Sequence, residues 1–153
     1  EGMFSALHFR LPGASVLDLF AGSGQLGIEA LSRGASYCLF VDSARDCTNI
    51  IIDNLKNCGM FKDSRVACMD VFSFLVAKGD QFDIIVMDPP YAVDRREELL
   101  SLAAKRLRDG GVVLYESSAD EKPPEKADGL LKKKEYRYGK TAVSVYEKET
   151  EGE

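Results

Sequence analysis

A chain of 153 residues with 45% hydrophobic and 29% charged content can bury one sizeable core, and that composition excludes a disordered or fibrous protein. No apolar run approaches the ~20 residues a bilayer span needs, and Glu1-Gly2-Met3-Phe4-Ser5 lacks the basic region and cleavage pattern of an export signal, so a cytoplasmic protein without a membrane partner is expected. The net charge of −5 argues against nucleic-acid binding through overall charge and leaves local basic patches as the only route to it.

In chain order the pattern alternates strand and helix, the signature of a doubly wound α/β sheet. Residues 2–8 read as the tail of a helix, Pro12-Gly13 as a turn and residues 15–19 as the first strand. A helix over 25–33 is stopped by Gly34, which supplies its C-cap. Residues 37–41 form the second strand, 44–57 a helix ending at Cys58-Gly59, 65–69 the third strand and 71–77 a short helix. The fourth strand is 82–87. A helix over 95–107, a turn at Asp109-Gly110-Gly111 and a strand at 112–116 follow. Residues 117–129, with Pro123-Pro124 at their middle, read as an exposed polar loop. Strands at 132–136 and 142–148, joined at Tyr138-Gly139, make an antiparallel hairpin at one sheet edge. One domain is therefore expected over 1–148, with an acidic mobile tail over 149–153. Cys38, Cys47, Cys58 and Cys68 stand singly without a C-x-x-C pair, which points to buried reduced thiols rather than disulfides or zinc ligands. His8, the single histidine, lies in the first helix and reads as structural or surface.

Two motifs carry chemistry. The run Val16-Leu17-Asp18-Leu19 enters Phe20-Ala21-Gly22-Ser23-Gly24-Gln25-Leu26-Gly27, a G-x-G-x-x-G loop between strand and helix. Gly22 and Gly24 permit a tight turn close to a ligand, and Gly27 lets the helix lie near the strand. The spacing by itself suits a nicotinamide or flavin cofactor, with Asp42 placed for a ribose. Asp18 opposes that reading. A helix N-terminus offers a phosphate only roughly 0.3–1 kcal/mol, which a nearby carboxylate in a partly desolvated cleft cancels, whereas the same carboxylate suits the cationic amino acid end of S-adenosylmethionine (SAM).

The second motif, Asp88-Pro89-Pro90-Tyr91, closes the fourth strand. The prolines fix an extended path, so a carboxylate and an aromatic ring are held stiffly at a strand end, able to accept from an amine and stack on a flat base. A proline-rich turn whose Tyr covers the sheet edge is the plainer alternative. In open α/β sheets ligands bind at the carboxyl ends of strands where the strand order reverses. Asp42 follows the second strand and Asp70 the third. Each singly is explained by helix capping, but four polar landmarks at four successive strand ends are harder to assign that way. Asp42 is then expected on the ribose hydroxyls, Asp70 on the adenine amine and the backbone near Val71 on the ring edge.

The chain resembles the small-subunit (16S) ribosomal RNA guanine-N2 methyltransferases of the class I SAM-dependent superfamily. The likeness rests on Val16 to Gly24, on Gly27-Ile28-Glu29-Ala30-Leu31-Ser32-Arg33-Gly34-Ala35, on the Asp88 to Tyr91 box and on Tyr138-Gly139-Lys140-Thr141. It implies a Rossmann-like sheet of seven strands with an antiparallel edge hairpin, and a guanine N2 as the methylated atom in ribosomal RNA, within the small subunit or an assembly intermediate. The implied cofactor site comprises Asp18, Phe20, Ala21, Gly22, Ser23, Gly24, Gly27, Asp42, Ser43, Asp70 and Val71. The implied catalytic group is Asp88, Pro89, Pro90 and Tyr91, with S-adenosylhomocysteine as product and no metal. The N-terminal extension usual in that family is missing from the sequence as it stands, which raises the alternative of a SAM-binding scaffold without catalysis. Adenine-N6 or cytosine-N4 methylation shares the D-P-P-Y box, and a nicotinamide oxidoreductase shares the glycine spacing. Arg95 and Arg96, after the box, and Lys132-Lys133-Lys134, Arg137 and Lys140 on the hairpin are candidate phosphate contacts, against the plainer reading of solvated faces.

Overall fold

The computed structural model describes residues 4, 7, 10–90 and 94–149. The eight strands among them are β1 (Ser15–Leu19), β2 (Tyr37–Asp42), β3 (Ser64–Cys68), β4 (Phe82–Met87), β5 (Leu107–Ser118), β6 (Lys126–Ala127), β7 (Leu130–Tyr138) and β8 (Thr141–Lys148). The helices are α1 (Gln25–Ser32), α2 (Arg45–Asn57), α3 (Val71–Val76) and α4 (Arg96–Ala104), with a 3-10 turn at Phe61–Asp63. All eight strands join one sheet in the order β3-β2-β1-β4-β5-β8-β7-β6. The first five pair in parallel, and β8 adds antiparallel to β5 and carries β7 beyond it.

Period-two alternation divides the apolar residues between two faces. Val16, Phe40, Val86 and Leu114 pack with Ala30 of α1 and Ile51 and Leu55 of α2. Leu17, Val41, Met87 and Val113 pack with Val71 and Leu75 of α3 and Leu99, Leu100 and Ala103 of α4. The sheet is therefore buried on both sides, as a parallel sheet requires.

The sequence and the structure part at several places. Residues 109–111 are not a free turn before the fifth strand: β5 starts at Leu107, opposite Phe82, and the register jumps to Ile84 opposite Val112, so the glycines form a bulge inside the strand. Gly111 is confined there, because a Cβ would stand 2.7 Å from the Asp83 carbonyl oxygen. The fourth helix stops at Ala104 because Arg106 turns inward. Its guanidinium donates to the carbonyls of Asp80 at 2.8 Å and Phe74 at 3.0 Å, so it clamps these two segments together.

Residues 117–129 are not simply an exposed loop. Pro123 and Ala127 are buried, the buried Tyr146 hydroxyl donates to the Pro124 carbonyl at 2.6 Å, and Lys126–Ala127 pairs with Leu130 and Leu131 as an eighth, two-residue strand. A buried phenol needs an acceptor, and the proline segment supplies it. Of the cysteines only Cys38 is buried; Cys47 and Cys68 are half-buried and Cys58 is exposed, all four as free thiols. The expected helix over 2–8 falls largely outside the described residues, and His8 with it, although Phe4 and Leu7 are buried in the core. Glu149 is held by an N–H bond to the Gly129 carbonyl and an ion pair with Lys126; the rest of the expected tail lies outside the described residues.

Gly27 is needed for contact between α1 and β2, the second strand rather than the one preceding the loop. A Cβ on it would lie 2.3 Å from the Phe40 ring and 2.7 Å from the Cys38 sulfur. Gly27→Ala is expected to cost about 1–3 kcal/mol of stability by overpacking, measured by urea unfolding. Adding Phe40→Leu, which removes the obstructing ring, should recover part of that loss.

Candidate active site

Strand register builds the site. Leu19 pairs with Val41 on one side and Met87 on the other, and Met87 pairs with Tyr115. The residues that follow, Phe20, Asp42, Asp88 and Glu116, therefore form one row along the carboxyl edge of β1, β2, β4 and β5. Asp42 also pairs with Cys68, which sets Asp70 two residues beyond the end of the row. Strand order reverses between β1 and β4, so the row crosses the switch point of the sheet.

The glycine loop is fastened to this row from below. Phe20 has φ 59°, a left-handed conformation that costs a non-glycine residue roughly 1–2 kcal/mol. The chain thereby leaves β1 abruptly, and the Ala21 N–H donates to the Val41 carbonyl at 3.1 Å. Gly22, with φ +59°, has no atom within 4 Å of the place a Cβ would take. The loop thus presents bare backbone to open space. Its N–H donates to one Asp42 oxygen at 2.9 Å, and the Ala44 N–H donates to the other at 2.9 Å. Asn54 of α2 donates its amide to the Ser23 carbonyl at 3.0 Å. No sequence motif singled out Asn54, because nothing local in α2 indicates that it faces the loop.

Asp18 lies two residues beneath the row, on the same strand as Phe20's predecessor Leu19, and is 1% exposed. Its carboxylate accepts the Gly27 N–H at 3.0 Å, so it anchors the start of α1 rather than projecting freely into a crevice. Burial pushes its pKa well above the usual carboxylate range; the Gly27 hydrogen bond opposes this, and the negative charges of Asp88 and Asp42 add to it. Burial likewise raises the Cys38 thiol, with Asp18 contributing. Asp70 realises its capping role: it is the N-cap of α3 and accepts the Ser73 N–H at 2.9 Å and the Ser73 hydroxyl at 3.2 Å through one oxygen. Val71 is buried at the first position of that helix. Ser43 is exposed, and its carbonyl is 3.7 Å from the Cys68 sulfur.

Asp88 is exposed directly after β4, with Pro89 buried and Pro90 exposed beside it. Tyr91 lies outside the described residues. A cavity of about 350 Å³ opens at this point, lined by Asp88, Pro89, Glu116, Ser117, Lys140 and Thr141 among others. The D-P-P box and the late Y-G-x-T segment, distant in sequence, thus share a wall. Glu116 was not singled out from the sequence; the only signal was its position as the last residue of the fifth expected strand. A second cavity of about 310 Å³ lies at the opposite, amino end of the strands, near Arg10, Asp83 and Gly110, and borders none of the motifs.

The two arginines after the box are engaged within the chain. Arg95 pairs with Glu98 at 2.7 Å and stacks 4.0 Å over the Phe72 ring, and Arg96 meets Glu121 at 3.0 Å. On the hairpin Lys132 pairs with Glu125 and Glu135, and Arg137 pairs with Glu135. Among the described residues no group of three or more His, Cys, Asp or Glu side chains is placed to hold a metal ion. No helix among them is long and apolar enough to cross a membrane.

The carboxylates around the loop decide between the two cofactor chemistries its spacing permits. Asp42 occupies the Gly22 N–H, and Asp88 adds negative charge nearby, which is unfavourable for a pyrophosphate and favourable for a cation. The fold agrees: a methyltransferase-class protein from Escherichia coli, provisionally named yhhF, superposes with a TM-score of 0.89 at 30% identity, covering 98% of this chain and 85% of that one. The protein is a Rossmann-like methyltransferase. Residues 1–147 match the family described as "Conserved hypothetical protein 95", and the chain belongs to that family. It is 35% identical over 97% of its length to YlbH of Bacillus subtilis, provisionally named an rRNA methyltransferase, covering 83% of that protein. It is 32% identical over its whole length to ribosomal RNA small subunit methyltransferase D of Escherichia coli, covering 78% of it.

The titration of Asp18 has a readable consequence. A carboxyl that holds its proton more tightly folded than unfolded makes the fold lose stability as pH rises from the ordinary carboxylate range through the raised value. Asp18→Asn does not titrate. The urea unfolding free energy of the wild type, measured relative to Asp18→Asn, is therefore expected to fall as pH rises above the ordinary carboxylate range.

Proposed function

We propose that the protein transfers a methyl group from SAM to the exocyclic N2 of a guanine in small-subunit ribosomal RNA. Its place of action is the cytoplasm, on the small subunit or an assembly intermediate. The observation that carries this reading is the row of Asp42, Asp88 and Glu116 across the switch point, joined to full-length similarity to a small-subunit methyltransferase.

The residues present suit the cofactor. Bare backbone at Gly22 faces open space, and Asp42, although it accepts two backbone N–H groups, keeps further lone pairs on both oxygens for ribose hydroxyls. Asp70 has one oxygen outside its capping bonds for the adenine amine. The backbone at Val71 and Ser43 borders the same edge, while Asp18, Phe20, Ala21, Ser23, Gly24 and Gly27 act by shaping and anchoring the loop. When bound, SAM supplies an electrophilic methyl carbon at physiological pH without acid catalysis.

The chain's own part is orientation and proton handling. Asp88 accepts a hydrogen bond from the N2 amine, aligns its lone pair and receives the proton the amine loses on methylation. The Pro89 carbonyl is a second acceptor, and the two prolines keep this segment stiff. Tyr91 is assigned to stack on the base, a contact worth about 1–3 kcal/mol in single-strand binders. Lys140, on the cavity wall, and Lys134 on the same hairpin are the cations available to the flanking phosphates.

Asp88→Ala is expected to lower methyl transfer to small ribosomal subunits by at least about 100-fold. SAM affinity by calorimetry should stay within a few fold. Mass spectrometry of the digested RNA should identify N2-methylguanine as the wild-type product; methylated adenine or cytosine would overturn the guanine assignment.

A further inference from the structure

We propose that Glu116 is a second carboxyl group of the methyl-acceptor site, paired with Asp88, and that it accepts the ring N1–H of guanine while Asp88 accepts the N2 amine. This rests on the guanine-N2 reading above and names the residue that enforces it.

Three features of the structure support it. Register places Glu116 beside Asp88, since Met87 and Tyr115 are partners on β4 and β5. Both side chains line the same polar cavity, together with Lys140 and Thr141. Glu116 also lies within hydrogen-bonding reach of Asp88, so a proton held between the two carboxyl groups would relieve their repulsion. Burial is the largest cause that pushes Glu116 up, to about 7, followed by that hydrogen bond and the charge of Asp88. Two carboxyls competing for one site behave in this way in general: one is held protonated by the charge of the other. Among the described residues, the other charged groups bordering the cavity are Glu121, already paired with Arg96 at 3.0 Å, and Lys140. On β8 the residue opposite Glu116 is the apolar Val143.

The chemistry of the base completes the argument. The pairing edge of guanine carries donors at both N1 and N2, whereas the corresponding edges of adenine and cytosine carry an amine donor beside a ring-nitrogen acceptor. Ionised carboxylates only accept. A carboxylate pair therefore matches two adjacent donors and sets a negative oxygen against the ring-nitrogen lone pair of adenine or cytosine. Without the base, the shared proton occupies the gap between the two groups. Guanine entry replaces that proton with two N–H donors, and the proton leaves to solvent. On methylation the N2–C bond forms, the sulfur takes the electron pair of the broken S–C bond, and one N2 proton passes to Asp88. Productive binding of the acceptor thus requires the deprotonated pair and strengthens as pH rises through neutrality.

Glu116→Gln tests this in two ways. Infrared difference spectroscopy of the isolated protein should show a protonated carboxyl band that titrates near neutral pH in the wild type and is absent from the variant. For methyl transfer to small ribosomal subunits, wild-type kcat/KM, which reports free-enzyme groups, should rise through about pH 7, and the variant should lose that rise and fall roughly 10- to 100-fold below the wild type on its alkaline side. SAM affinity should be unchanged. A variant with the wild-type pH profile, or one that retains the band, overturns the role of Glu116. Loss of SAM affinity in the variant also overturns it, by showing a structural effect. A wild-type product other than N2-methylguanine defeats the proposed function instead, so the two failures are distinguishable.

Discussion

The structure depends on an in-step parallel register across β2, β1, β4 and β5. With Leu19, Val41, Met87 and Tyr115 level, the next residue of each strand meets the same edge, and three of those four are acidic. Side-chain period two then decides what lies beneath. Asp18, two residues lower on the α1 face, is sealed under the loop and accepts the Gly27 N–H. A slip of one residue in any of these pairings would send a carboxylate to the opposite face and bury it among the side chains of α3 and α4.

Negative charge concentrated in this way has to be balanced, and the structure does so locally. Asp42 is satisfied by two backbone N–H groups, Asp70 by Ser73, and Asp18 by one N–H together with a raised affinity for its proton. Glu116 is held toward its protonated form by burial and by its neighbour Asp88. None of these devices brings in a cationic side chain. The edge is therefore left with a field that favours a cationic ligand, the opposite of the phosphate-binding chemistry that the same glycine spacing serves elsewhere. The strained Phe20 belongs to the same arrangement: the sharp exit from β1 brings the Ala21 and Gly22 N–H groups back onto β2.

The hairpin of β7 and β8 contributes more than an edge. Because β8 inserts next to β5, the turn before it brings Lys140 and Thr141 to the wall opposite Asp88. The bulge at residues 107–112 absorbs the extra length of β5 at its amino end, so register is recovered before the strand reaches Glu116. Tyr146 is anchored by Pro124 and holds the intervening segment against the sheet.

Local chemistry was enough to read much of this from sequence alone. The order of strands and helices, the glycine loop entering α1, the cap at Asp70, the end of α1 just before Gly34, and the stop imposed by Pro89 and Pro90 follow from periodicity and backbone preference, which act over a few residues. Asp42 and Asp88 were legible as strand-end carboxylates for the same reason. Only the tertiary structure decided which strands are neighbours. That is why Glu116, unremarked as the end of an apolar run, emerges as the partner of Asp88, and why Asn54 is found holding Ser23. It also decided that Arg106 is a buried clamp, that residues 117–129 serve Tyr146, and that Asp18 anchors a helix, because burial and hydrogen-bond partners arise from chain segments that sequence spacing does not bring together.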